Sequence, residues 1–258
     1  MHRLAAAVHR GSVTPAVQPP EETFCLDCGP EAVLERDSAA MLRCPRCGAG
    51  HHIPALPLFM VTGASGAGKT TVTASLRSRL PDCDVFEIDA TLQVAALGWE
   101  VWRNTWLRIV HEVALNGRVS VLCGSLQPDQ LEHLPARRLI GPVHCCVLDC
   151  PDAVRASRLR ARPAWRGTST EAAIAEHQRY AAWLRANIDP CFDTSQVTPG
   201  QTADQIAAWI RQRMAASWRL CASGDDPGAG VEPDAVIAQV HGERLAQPPD
   251  RAGGGGGV

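Results

Sequence analysis

With 258 residues, 45% of them hydrophobic, the chain exceeds the commonest single-domain size and can bury one sizeable core with a small appendage beside it. Its 25 basic residues are balanced by 27 acidic ones, a net charge of −2, so composition supplies no global pull toward nucleic acid or an anionic bilayer. No apolar run is long enough to span a membrane, since the stretch 53–61 is interrupted by Pro54 and Pro57.

Residues 1–22 carry two arginines and several alanines but no apolar core or cleavage pattern, and read as a disordered leader. The eleven cysteines, an odd number without a secretory signal, point to reduced thiols or metal ligands and hence to a cytoplasmic protein. Four of them stand out in the segment 23–55. Cys25-Leu26-Asp27-Cys28-Gly29 and Cys44-Pro45-Arg46-Cys47-Gly48 are two C-x-x-C knuckles separated by fifteen residues. That spacing reads as a zinc ribbon, in which each pair turns both thiolates toward one Zn²⁺ and Gly29 and Gly48 permit left-handed backbone just past the turn. So short a segment has little core of its own, and the metal is expected to supply much of its folding free energy. His51 and His52 read as linker residues. The ribbon has Arg36, Arg43 and Arg46 against Asp27, Glu31, Glu35 and Asp37, without a basic, aromatic surface. Nucleic acid is therefore not the expected partner, and a structural or docking role, through self-association or a protein partner, is favoured.

From 56 to 215 short β-rich runs alternate with longer helical ones, which implies a parallel sheet covered on both faces. Strands are predicted at 58–62, 85–89, 119–124 and 143–149. The first runs into Gly63-Ala64-Ser65-Gly66-Ala67-Gly68-Lys69-Thr70, the pattern G-x-x-x-x-G-K-[ST]. Backbone N–H groups of such a loop line a concavity for phosphates at a helix start, Lys69 reaches the β/γ-phosphates and the Thr70 hydroxyl holds Mg²⁺. Glu87-Ile88-Asp89 follows, predicted to project both carboxylates from one strand face, one toward hydrated Mg²⁺ and Asp89 toward the proton of an attacking hydroxyl. Trp99, Trp102 and Trp106 fall at i, i+3 and i+7, a core stripe whose first two members, with Arg103, are also candidate acceptor contacts. Cys123, Cys145, Cys146 and Cys150 read as small buried hydrophobes. Arg155, Arg158 and Arg162 recur at helical spacing, with Arg160 and Arg166 nearby, a cluster suited to folding over a triphosphate. Thr198-Pro199-Gly200-Gln201 is a capping box opening a last helix, and 216–258, rich in Gly and Pro, reads as a disordered tail.

GASGAGKT, the acidic EID, VLCGSL and VLDCPDAVRASRLRARPAWRG together resemble small P-loop kinases of the nucleoside, gluconate and shikimate kinase kind, and FDTSQVTPGQTADQIAAWI is similar to their C-terminal end. The likeness covers about 56–215. It implies an α/β P-loop NTPase sandwich with a five-stranded parallel sheet, and ATP-dependent phosphorylation of a small-molecule or nucleotide acceptor. Gly63, Ser65, Gly66, Gly68, Lys69, Thr70 and Thr71 would bind ATP and Mg²⁺, Asp89 would face the acceptor, Arg158 and Arg162 would belong to a lid, and 193–197 would lie near the adenine. The strand VLCGSL lacks the aspartate that many P-loop enzymes carry there, which leaves Glu87 or Asp89 as its substitute. A nucleic-acid-associated or regulatory ATPase is the competing reading. A GTPase is disfavoured because no N-K-x-D motif occurs.

Overall fold

The computed structural model describes residues 24–25, 27–37, 41–52 and 55–222. The expected leader and the tail beyond 222 lie outside the described residues. At the N-terminal end, β1 (Phe24–Cys25) pairs antiparallel with β2 (Gly29–Val33), while β3 (Glu35–Arg36), β4 (Met41–Arg43) and β5 (Gly50–His52) form an antiparallel three-stranded sheet. His51 and His52 are therefore strand residues opposite Leu42 and Met41, correcting the expectation of a linker.

The rest is one five-stranded parallel sheet with helices on both faces, an α/β sandwich. Its strands are β6 (Leu58–Thr62), β7 (Cys83–Glu87), β8 (Val119–Cys123), β9 (Val143–Asp149) and β10 (Cys191–Asp193), in the order β10-β9-β6-β8-β7. Every neighbouring pair is parallel. The helices are α1 (Lys69–Arg77), α2 (Trp99–Leu115), α3 (Asp152–Arg160), α4 (Glu171–Asn187) and α5 (Pro199–Ala222). The central strand β6 is apolar throughout because it is buried on both faces, as parallel sheets require. Phe59 and Val61 join a core with Val72 and Leu76 of α1 and Ala203 and Ile206 of α5. Leu58 and Met60 point the other way, into a core with Trp102, Trp106 and Val110 of α2. The ribbon contributes Cys25, Ala32, Leu34, Leu42 and Cys44 to that second core, and both Nε and Nη2 of Arg36 donate to the Arg138 carbonyl.

Two boundaries differ from the sequence expectation. β7 ends at Glu87, so Asp89 lies in the 3₁₀ segment Ile88–Leu97 and not on the strand. α5 runs through Ala222, past the anticipated end at 215; its start is capped, and Ala203, Ile206, Ala207 and Ile210 pack in the core with α1. The Thr198 hydroxyl accepts from Gln201 N–H at 3.3 Å and the Gln201 side chain accepts from Thr198 N–H at 2.9 Å, a complete capping box.

Candidate active site

The glycine-rich loop 63–70 joins the central strand to α1 at the carboxyl edge of the sheet, the edge where open α/β folds bind ligands. Gly63 is required by space: a Cβ there would lie 2.5 Å from the Leu148 carbonyl oxygen of the neighbouring strand. Gly66 and Gly68 are required by conformation, with φ of 85° and 92°. Lys69 Nζ donates to the carbonyls of Gly63 at 2.6 Å and Ala64 at 3.2 Å, so the ammonium lies across the loop. Burial lowers its pKa to about 8, against the pull of the nearby Asp89 carboxylate. Ser125, just past β8, also donates to the Gly63 carbonyl at 3.0 Å.

The arginines of α3, and Arg162 in the turn just past its end at Arg160, divide into different roles. Arg155 is wholly buried and forms an ion pair with Asp149, itself 6% exposed; Arg185 donates to the other oxygen of Asp149 at 2.6 Å. Arg155 Nη1 also donates to the Ser65 carbonyl at 3.1 Å, which ties the loop to the end of β9. Arg155 is thus a structural brace and not part of a mobile cluster. Arg158 donates to the Gly66 carbonyl at 3.1 Å and to the hydroxyl and carbonyl of Thr194, both at 2.9 Å. Arg162 is half-buried, and burial, then the neighbouring Arg166, lowers its pKa. Arg160 pairs with Glu171 on the surface and faces no site.

Two cavities, each about 280 Å³, are found in this region; the first is lined by the loop itself, and the second touches it only through Ser125, which is hydrogen-bonded to Gly63. One is bounded by Gly66, Thr71, Arg158, Arg162, Thr194 and Thr202. The other is bounded by Asp89, Leu92, Trp99, Arg103, Ser125 and Gln130, with Ile88 and Trp102 behind them. Asp89, Trp99 and Arg103 are thus brought together as the sequence placed them. Trp106 is not with them: it packs on Phe86 at 5.6 Å between ring centroids, inside the core. Trp102 is buried too, its indole N–H donating to Thr91 at 3.0 Å. The Arg103 Nε is buried without a partner among the described residues.

Sequence reasoning assigned no role to Ser125 or His177, and named Thr194 only within the segment 193–197 expected near the adenine. Ser125 and Thr194 act through hydrogen bonds to residues 62 and 36 positions away, a signal no local pattern carries. His177 on α4 is half-buried, its pKa lowered first by burial and further by Lys69, Arg155 and Arg162.

The donor sets fit the two metals expected. Thr70 Oγ1 donates to Glu87 Oε1 at 2.5 Å, placing two hard oxygens side by side at the first turn of α1, as Mg²⁺ prefers. The four sulfurs of Cys25, Cys28, Cys44 and Cys47 lie within 4.8 Å of one another, with Cys25 and Cys47 at 3.6 Å. A tetrahedral Zn²⁺ with bonds of about 2.3 Å sets its sulfurs roughly 3.8 Å apart, so the cluster is close to the required size. Gly29 and Gly48 have φ of 81° and 77°, the left-handed turns anticipated. The crowded thiols perturb one another: the Cys28 pKa is pushed up to about 12, foremost by its hydrogen bond with Cys47. Cys44, in spite of burial, falls to about 7 through backbone hydrogen bonds from Cys47 and Arg46.

No protein-family profile matches the sequence, and no curated protein matches it either. Among solved structures, the chain is similar to an unliganded sugar kinase from Janibacter sp. (22% identity, TM-score 0.45, covering 63% of this chain and 98% of that one). It is similar to the Deinococcus radiodurans tunicamycin resistance protein (22% identity, TM-score 0.47, 60% of this chain and 95% of that one). A gluconokinase from Sinorhizobium meliloti also matches (18% identity, TM-score 0.43, 65% of this chain and 99% of that one).

Proposed function

We propose that the chain is an ATP-dependent phosphotransferase acting on a small hydroxyl-bearing acceptor. The observation that carries this reading is a loop-lined cavity with Arg158 and Arg162 beside a second cavity that holds the Asp89 carboxylate and is tied to the loop through the Ser125 hydrogen bond to Gly63. A simple hydrolase needs only the first cavity.

In this reading the N–H groups from Gly63 to Thr71 and the Lys69 ammonium hold the triphosphate of ATP, whose base extends past Thr194 and Thr202. Thr70 and Glu87 would hold Mg²⁺, which neutralises phosphate charge when bound. Asp89 accepts the acceptor's hydroxyl proton as its oxygen bonds to the γ-phosphorus and the bridging bond to the departing ADP breaks. Arg162 stabilises the charge on the transferring group, and closure of the segment around it excludes water that would otherwise compete. The ribbon, reading as a Zn²⁺ site, props the acceptor side of the sheet, because its apolar residues share a core with α2.

The test is ADP release from Mg·ATP across a panel of hydroxylated acceptors. Turnover that requires an acceptor, and that is lost in Lys69→Ala and reduced about 10²–10⁴-fold in Asp89→Asn, supports the proposal. Rapid turnover without any acceptor overturns it in favour of an ATPase.

A further inference from the structure

The second cavity is chemically divided. Its inner end is polar: Asp89 lies within electrostatic reach of Lys69, and Ser125 is hydrogen-bonded to the loop itself. Arg103 and Gln130 add further polar groups to its lining, and its apolar part is formed by Leu92 and Trp99, with Ile88 and Trp102 behind. Trp99 stands edge-on to Trp102 at 5.7 Å and is 56% exposed. The apolar character continues outward along the chain, with Leu97 at 76% exposure and Val101 also exposed. Seven large apolar residues are exposed among the described ones, and four of them, Leu92, Leu97, Trp99 and Val101, fall in the ten residues at this mouth. Burying a large indole is ordinarily favourable, so an exposed one at the rim of a cavity is a surface on which a ring can stack.

We infer that the acceptor is an alcohol carrying a flat apolar ring, whose hydroxyl reaches Asp89 while the ring rests on Trp99 and Leu92, and not a compact sugar acid polar on all sides. This rests on the phosphotransferase reading for the hydroxyl's role. Size agrees: a benzene ring is held by a cavity of roughly 150 Å³, and about 280 Å³ leaves room for a short hydroxylated arm. A polyol could satisfy some hydroxyls on Asp89, Arg103, Ser125 and Gln130, but any hydroxyl laid against the indole and leucine would be desolvated without a replacement hydrogen bond.

The experiment compares 1-phenylethane-1,2-diol, propane-1,2-diol and gluconate, titrated by ligand-observed NMR against the zinc-loaded full chain with saturating Mg·ADP. The first two share their hydroxyls and differ in phenyl against methyl. The phenyl diol is expected to bind at least about tenfold more tightly than propane-1,2-diol. Trp99→Ala should remove that advantage and Trp99→Phe should keep most of it. Both variants change an exposed side chain, and thermal unfolding checks that they fold. Equal binding of the two diols, tighter binding of gluconate, no saturation by the phenyl diol, or an advantage that survives Trp99→Ala each overturns the inference. Calorimetry of Mg·ATP on the same sample separates the two readings. Failure there removes the phosphotransferase, whereas failure of ring selectivity with nucleotide bound removes only the acceptor class.

Discussion

The Thr70 hydroxyl donates to the Glu87 carboxylate at 2.5 Å, joining the first turn of α1 to the end of an edge strand two places away in the sheet. The strand between them ends at Cys123 and is followed by Gly124, where a Cβ would collide with the Ile88 side chain. Ile88 fills the space beside Gly124, and Glu87 brings a carboxylate to Thr70 from one strand further out. Glu87→Gln should raise the Mg²⁺ concentration for half-maximal turnover about 10–100-fold, the cost usual for altering a metal's supporting shell. A Mg²⁺ titration of ADP release measures it, and an unchanged midpoint would assign the role to Asp89.

Arg155 and Arg162 share a helical spacing but should fail differently. Arg155→Ala leaves the buried Asp149 facing only Arg185, and loss of one partner from a buried pair costs about 3–5 kcal/mol. Urea unfolding should register that loss. Arg162→Ala should leave the unfolding midpoint within about 0.5 kcal/mol while lowering turnover about 10²-fold or more.

Lys69 gives a pH signature. Its folded pKa of about 8 lies below the ordinary 10.5, so between these values the unfolded chain holds a proton that the folded chain has released. Stability contributed by this group therefore rises with pH across that window, and below about pH 8 the full cost of burying the ammonium is present. The stability of the wild-type chain relative to Lys69→Met should increase from pH 7.5 to pH 10. Parallel denaturant melts at the two pH values test it; a constant difference contradicts the burial argument.

Removing zinc should act on the acceptor side first. The ribbon shares its core with Trp102, Trp106 and Leu126, whereas α1 and α5 belong to the other core. Chelation, or Cys44→Ser, should lower the thermal midpoint and raise the acceptor's KM several-fold, with a smaller change in Mg·ATP affinity measured by calorimetry.

Much of this site could be read before any fold was known, for a local reason. The phosphate loop and the two cysteine knuckles each place their donors within a few consecutive residues, where backbone geometry restricts how a turn can be made; Gly66, Gly68, Gly29 and Gly48 take the left-handed conformations their positions implied. The apolar run of β6 and the capping box at Thr198 are likewise short-range. Other features depended on pairing across the chain. β10 has three residues with no apolar run and exists because it extends the sheet beside β9. The stretch Glu87-Ile88-Asp89 looked like alternating strand, but the turn into Ile88–Leu97 decided where Asp89 stands.

Helical spacing predicted Arg155, Arg158 and Arg162 on one stripe, but α3 ends at Arg160 and leaves Arg162 in the turn beyond it, and spacing could not say what each would meet. A carboxylate six residues upstream claimed the first, the loop and Thr194 the second, and an open cavity received the third. Residue type and spacing determine which chemistry a segment can offer, because covalent geometry and side-chain charge are carried by the chain itself. Whether an arginine braces or catalyses is decided only when packing chooses its partner and takes away its water.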